Sequence, residues 1–256
     1  MRVFITGASS GIGAALARLY GARGATLGLL ARRESALRGV AQSTGAPCEI
    51  YPCDVRDFAA VKAAGLAFMA ARGVPDLVIA DAGISHGTYT DMEQDAAVFR
   101  DILEVNVLGM VHAFHPFVAP MQANRSGRLV GISSVASVRG LPGVGAYSAS
   151  KAATVRYLEA LRVELRAAGV GVTTICPGYV ASPMTADNPY RMPFIIEADD
   201  AARRIARVID AGRSYAVVPW QMAIVARLLA LLPNAVFDRL AQRAGRKPRR
   251  GPGFTA

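Results

Sequence analysis

Thr6-Gly7-Ala8-Ser9-Ser10-Gly11-Ile12-Gly13 is the stretch on which the reading of the whole chain turns. It follows an apolar run of strand length, Val3 to Thr6, and leads into a helix-period segment, Gly13 to Arg23. Glycine suits a sharp turn and a close approach of backbone to a ligand. The free N–H groups at a helix start, with the positive end of the helix dipole, favour a pyrophosphate. The spacing is G-x-x-x-G-x-G rather than the commoner G-x-G-x-x-G.

Outward from this turn the pattern repeats. Further strand-like runs lie at Ala25 to Ala31, Glu49 to Cys53, Leu77 to Ala80, Arg128 to Ser133, Gly171 to Cys176 and Tyr215 to Val218. Helix-period segments separate most of them, including Asp57 to Arg72, Val98 to Gln122 and Ala146 to Ala168. Such alternation predicts an α/β fold: a doubly wound parallel sheet of seven strands, helices on both faces and right-handed crossovers. No repeat or linker interrupts it. Residues 1–218 read as the body and 219–256 as a helical extension with a basic tail, part of the same domain.

Composition agrees. Of 256 residues, 52% are hydrophobic and 19% charged, which suits a sizeable core. The first strand begins at once, which leaves no room for a signal peptide. Three cysteines, Cys48, Cys53 and Cys176, lie in apolar contexts without metal spacing to the three histidines, so no metal is expected. Buried free thiols imply a reducing cytoplasm. The net charge of +10 is compatible with nucleic acid, an anionic membrane or phosphate-bearing ligands. The basic residues are not gathered with aromatics in a nucleic-acid module, which argues against that partner.

A second stretch carries chemistry. In Tyr147-Ser148-Ala149-Ser150-Lys151 the tyrosine and lysine are four residues apart, on one face of a helix. A phenol ordinarily titrates near pH ~10, and an adjacent ammonium favours its ionised form. The pair can exchange a proton with an alcohol or carbonyl oxygen. Alone, Y-x-x-x-K is common by chance.

Taken together, the stretches resemble the classical short-chain dehydrogenase/reductases. Both motifs occur in order, accompanied by Asp54-Val55 after the third strand, Asp81-Ala82-Gly83 after the fourth, and Asn106 within a helix. Ile132-Ser133-Ser134 and Pro177-Gly178 complete the match, which covers roughly Arg2 to Val218. The resemblance implies a single Rossmann-like domain that binds a nicotinamide dinucleotide. It implies Tyr147 as general acid/base, Ser134 as the hydroxyl that holds the substrate oxygen, and Lys151 on the nicotinamide ribose while depressing the Tyr147 pKa. Asn106 would hold a water in a proton relay. Cofactor contacts are implied at Gly7, Ser9, Ser10, Gly11, Ile12, Gly13, Asp54, Val55, Ala82, Gly83, Tyr147, Lys151, Pro177, Gly178, Val180 and Ser182. Ser133 is expected to cap backbone instead.

The second strand ends Leu29-Leu30-Ala31-Arg32-Arg33, without the acid that favours NAD. Arg32 and Arg33 suit a ribose 2′-phosphate, so the expected cofactor is NADP(H). Two departures stand out. The family's Asn-Asn-Ala-Gly is here Ala80-Asp81-Ala82-Gly83, which puts a carboxylate near the cofactor. After Val218 an apolar segment, Trp220 to Phe237, replaces the usual tetramer-forming end, so a homodimer is expected. Pro233 starts a second helix, and Arg243, Arg246, Lys247, Arg249 and Arg250 follow. The first helix is expected to serve as a lid or dimer element. Peripheral membrane contact, and hence a membrane-associated rather than purely cytoplasmic protein, is the alternative.

Tyr179, Met184, Tyr190, Met192, Phe194, Ile195 and Ile196, with Ile84-Ser85-His86 and Arg139 to Val144, are expected to line an apolar pocket. The substrate is then a carbonyl or secondary alcohol on an apolar or amphipathic small molecule. The alternatives are an NADP(H)-binding sensor without turnover, and an epimerase or dehydratase of the same superfamily.

Overall fold

A computed structural model describes residues 1–242 and 245–249. In chain order the elements are β1 (Arg2–Thr6), α1 (Gly11–Ala22), β2 (Thr26–Ala31), α2 (Glu34–Thr44), β3 (Cys48–Pro52), α3 (Phe58–Arg72) and β4 (Leu77–Ala80). Next come α4 (Asp95–Leu103), a π-helical turn (Glu104–Leu108), α5 (Gly109–Ala123), β5 (Arg128–Ile132), a 3₁₀ turn (Val135–Ser137) and α6 (Gly145–Arg166). The chain continues through β6 (Gly171–Pro177), α7 (Pro183–Ala186), α8 (Ala198–Asp210), β7 (Tyr215–Val218), α9 (Trp220–Leu231) and α10 (Asn234–Gln242). All seven expected strands form one parallel sheet in the order β3-β2-β1-β4-β5-β6-β7.

The strands are mostly apolar because both sheet faces are covered. Val3, Ile5, Leu27, Leu29, Ile79 and Ile175 point to one face, beneath α1, α2 and α8. Phe4, Leu30, Val78, Leu129 and Val172 point to the other, beneath α3, α5 and α6. Packing there leaves no slack: a Cβ on Gly28 would come within 2.5 Å of the Phe4 ring and 2.7 Å of the Phe68 ring.

The chain winds outward from β1 in one direction and from β4 in the other. These strands are neighbours, and the crevice at their carboxyl ends is where such sheets bind ligands. Gly7 closes β1 there and Asp81 follows β4.

One expectation needs correction. The helix read over Val98 to Gln122 starts earlier, at Asp95, and opens into a π turn around Asn106. Periodicity cannot show this, since one extra residue per turn barely changes an apolar pattern. The Trp220 helix, α9, packs its Met222 and Ala226 against Val135 of the 3₁₀ turn, and Arg139 of the expected pocket loop donates to the Leu229 and Leu232 carbonyls at its end. The basic tail also lies over the pocket loops, through Arg246, Lys247 and Arg249. Arg243 and Arg250 lie outside the described residues.

Candidate active site

The glycine turn is built as a close-fitting cradle. Gly7 has φ 72, and a Cβ there would stand 2.7 Å from the Ala82 nitrogen. A Cβ on Gly13 would stand 2.5 Å from the Gly7 carbonyl oxygen and 2.8 Å from Asp81 Oδ2. Ser10 is the N-cap of α1 but makes no side-chain cap bond, so its hydroxyl leaves the first-turn N–H groups alone. Ile12 lies in that turn and packs against the core. Gly11 faces Ser182, whose Cβ is 3.4 Å from a Cβ placed on Gly11. The loop after β6 therefore meets the turn after β1.

The remaining cofactor candidates ring this cradle. Arg33 Nη2 donates to Ser9 Oγ over 3.4 Å, which brings the end of β2 onto the turn. Arg32 lies near Asp54 and lowers its pKa, though burial acts more strongly in the opposite sense and the Arg56 hydrogen bonds also lower it. Asp54 is held by Arg56 at 2.8 Å. Val55 packs on Gly109, and its carbonyl meets His112 Nδ1 at 2.7 Å. Ala82 N donates to Thr6 Oγ1 over 3.4 Å. Gly178 N donates to the Val218 carbonyl over 2.8 Å, directly after Pro177. Val180 bridges to Ile196.

The catalytic candidates lie on the next two strand ends and α6. Lys151 Nζ is buried, donates to the Ile132 carbonyl over 2.9 Å, and stands 5.7 Å from the Tyr147 ring centre. Burial lowers its pKa to about 8, while Asp81 and Cys176 pull upward. Burial pushes Tyr147 up to about 12, against a lowering hydrogen bond from Ser134. The influence that lowers Tyr147 is this Ser134 hydrogen bond, and it is outweighed by desolvation. Ser133 is structural, as expected: it donates to the Lys151 carbonyl over 2.9 Å and accepts from Thr154.

Asn106 is fully buried. Its Nδ2 donates to the Ile84 carbonyl over 3.0 Å and to Ser150 Oγ over 2.9 Å, and its Oδ1 accepts the Ile84 N–H over 2.8 Å. Both amide hydrogens are engaged by protein groups. A Cβ on Gly83 would lie 3.3 Å from Asn106 Oδ1 and 3.6 Å from Lys151 Nζ, so all three share one small space.

Sequence reasoning left Asp81 without a role. Its carboxyl accepts the Gly13 N–H and interacts with Lys151, and burial raises its pKa to about 7. Ser150 is also new: it accepts from Asn106 and donates to the Tyr147 carbonyl over 2.7 Å. Its place inside the Tyr-Lys stretch was the available signal. Among the described residues no group of acidic, histidine and cysteine side chains could hold a metal.

The profile of the family described as short chain dehydrogenase matches residues 1–192. The chain belongs to the short-chain dehydrogenase/reductases. An uncharacterized oxidoreductase of Myxococcus xanthus is 40% identical over 242 residues, covering 93% of this chain and 95% of that one. A short-chain dehydrogenase/reductase from Burkholderia phymatum, in complex with NAD, superimposes with TM-score 0.81 at 26% identity, over 99% of this chain and 98% of that one. A metagenomic short-chain oxidoreductase in complex with NADP does so with TM-score 0.73 at 30% identity, over 85% and 96%. This short-chain dehydrogenase/reductase is thus an oxidoreductase of a nucleotide-binding family whose solved members hold either nicotinamide cofactor.

Proposed function

We propose that this dehydrogenase is an NADP(H)-dependent enzyme acting on a carbonyl or secondary alcohol of an apolar or amphipathic molecule. The observation that carries this reading is the convergence of Ser134, Tyr147 and Lys151 beside the Gly7–Gly13 cradle. The fit of the dinucleotide rests on that cradle: Gly7 and Gly13 let the turn after β1 close tightly onto Ala82 and Asp81, and the first turn of α1 offers its N–H groups to a pyrophosphate. The nicotinamide supplies or accepts the hydride.

The protein's part follows from the environment of these side chains. With a pKa near 12, Tyr147 is a protonated phenol at neutral pH and a proton donor to a carbonyl oxygen. Ser134 holds the same oxygen and stabilises its developing charge. Lys151, on the next turn of α6, holds the ribose and stabilises the tyrosinate left after transfer. Asn106 acts as a positioning residue, clamping Ile84 and Ser150 around the catalytic pair. Gly7, Ser9 to Gly13, Asp54, Val55, Ala82, Gly83, Pro177, Gly178, Val180 and Ser182 complete the cofactor ring.

Arg32 and Arg33 support NADP(H) over NAD(H). The strand end itself carries no carboxylate to repel a 2′-phosphate, the Glu34 that follows is paired with Arg38, and Arg33 already reaches the turn through Ser9. The substrate class is supported by Tyr179 and Tyr190, whose ring centres are 6.3 Å apart, with Met192 on the same loop. Met184, Phe194 and Ile195 stay exposed and are left out of the pocket.

A panel of ketones and aldehydes with NADPH and NADH, followed at the nicotinamide absorbance band, tests the reading. Tyr147→Phe should abolish turnover and leave NADPH affinity within a few-fold. Retained turnover in that variant would overturn the catalytic assignment. Arg32→Ala should erase most of the NADPH preference, a loss of ~1.5–3 kcal/mol for a hydrogen bond to a charged group. Equal affinity for both cofactors in the wild-type protein, by calorimetry, would overturn the NADP(H) assignment.

A further inference from the structure

The described part of the basic tail, residues 245–249, lies across the loops that surround the site, and the body of the protein is shaped to receive it. Gly87 N donates to the Pro248 carbonyl over 2.9 Å, and Gly87 and Arg249 pair as a short parallel bridge. On its other side the same loop pairs Thr88 with Val144, with Thr88 N donating to the Gly143 carbonyl over 2.9 Å. Three segments thus form a small layer: the loop after β4 in the middle, the loop before α6 on one edge and the tail on the other. Gly87 has no room for a side chain, since a Cβ there would stand 3.0 Å from the Pro248 oxygen and 3.1 Å from the Arg249 nitrogen.

The layer is held by one ion pair. Asp95, in the first turn of α4, is 2% exposed. It accepts two bonds of 2.9 Å from the Arg249 guanidinium and one of 2.8 Å from Tyr89 N. Removing the Arg249 partner would leave a buried carboxylate short of donors. The tail then reaches further. Arg246 bonds the Tyr89 hydroxyl at 3.3 Å, and Lys247 Nζ donates to the Met184 carbonyl over 2.8 Å. Gly245 faces Tyr190, a residue close enough to Tyr147 to affect its titration.

We propose that residues 245–249 form a strap that is the outer wall of the substrate cleft, and that Asp95 and Gly87 are specificity-determining residues because they seat it. The strap joins the loop after β4 to the loop after β6, and so sets how large a carbonyl compound can sit over Tyr147. This rests on the reductase reading of that site. The residues named act through the strap; they touch no reacting atom.

Three forms test the proposal: a chain ending at residue 244, Gly87→Val, and Arg249→Ala with Arg249→Lys as its conservative partner. Exchange of the residue-87 amide hydrogen, taken relative to its rate in an unfolded peptide, reports seating without any turnover and should speed up in the first three forms and least in the lysine variant. The ratio of kcat/KM for a bicyclic ketone to that for a short acyclic ketone should rise about tenfold, through KM, in the forms that lose the strap. NADPH affinity should stay within twofold. Faster Gly87 exchange with an unchanged ratio would overturn the proposal, as would a Gly87 amide that exchanges rapidly in the wild-type protein. A failed reductase reading looks different, since the wild-type protein would then turn over neither ketone. Saturation-transfer measurement of bicyclic ketone binding would still decide: tighter binding by the shortened chain supports the strap, and equal binding overturns it.

Discussion

Asp81 is one side chain with an outsized electrostatic position. It sits at the start of α1, accepts the Gly13 N–H and faces Lys151, yet burial keeps its pKa near 7. The folded protein therefore binds a proton there that the unfolded chain releases at an ordinary carboxylate pKa near ~3.9. Stability consequently falls as pH rises from the unfolded value to about 7, and the full cost stands above it. Asp81→Asn keeps the shape and an acceptor for Gly13 while removing the titration. The variant should match the wild-type protein near pH 4 and gain about 1–3 kcal/mol by pH 8, the upper figure reduced because Lys151 loses an anionic neighbour. Urea unfolding at several pH values checks this, and a gain that does not grow with pH would disprove it. A second consequence is kinetic. Asp81 raises the pKa of both Tyr147 and Lys151, so Asp81→Asn should move the alkaline limb of the pH–rate profile downward.

At the scale of elements, Asn106 is the feature on which α4, α5 and α6 meet. A mid-helix asparagine competes with the helix backbone, and here the helix gives way to a π turn at that residue. The turn aims the amide at Ile84 and Ser150, fixing the loop after β4 to α6 at the level of Tyr147. Asn106→Leu leaves the Ile84 N–H and carbonyl unpartnered and should cost about 1–3 kcal/mol for each group left buried. It should lower kcat more than it raises the cofactor Kd; the reverse split would assign the residue to cofactor binding. The sequence showed the element order and all seven strands, because parallel strands are continuous apolar runs bounded by glycine and charge. It also showed the residues at the strand ends, whose types are set by chemistry rather than packing. It did not show the π turn, whose apolar pattern matches an ordinary helix. Nor did it show that Gly87 and Asp95 answer to Arg249, a partner 154 residues away from Asp95. Pairings of that range have no local signature. The Tyr147-Lys151 stretch was legible as a motif, but the balance of burial over the Ser134 hydrogen bond that sets the Tyr147 pKa depends on which atoms surround it.

At the scale of the whole molecule, the surface is divided. The cleft end carries the cradle, the strap and the catalytic pair. Away from it, Trp220, Ile224, Leu228 and Leu231 recur every three or four residues of α9, so one stripe of the helix is apolar and exposed, with Leu231 at 80%. Val236 and Leu240 of α10 are exposed as well. Arg213 and Arg207 line a shallow cavity of 310 Å³ beside Trp220, and Arg227 is on α9 itself. The long Asp95–Ala123 rod is also apolar enough for lipid, but half of its apolar window is buried in the protein. The α9 stripe is therefore the face we propose for a partner, and the charge around it favours an anionic surface. A second copy on the same stripe would bring two arginine-bearing patches together, whereas anionic lipid headgroups would neutralise them. The net charge of +10 acts in the same direction. Vesicles containing phosphatidylserine should bind the protein, and neutral phosphatidylcholine vesicles should not. Binding should weaken as salt shortens the Debye length from ~10 Å at 0.1 M to ~3 Å at 1 M. Leu228→Asp with Leu231→Asp should release it while NADPH affinity stays unchanged, because both side chains are exposed and it is the buried Met222 of the same helix that meets Gly178. Concentration-dependent dimer loss in that double variant, without any vesicle binding by the wild-type protein, would return the stripe to a subunit interface.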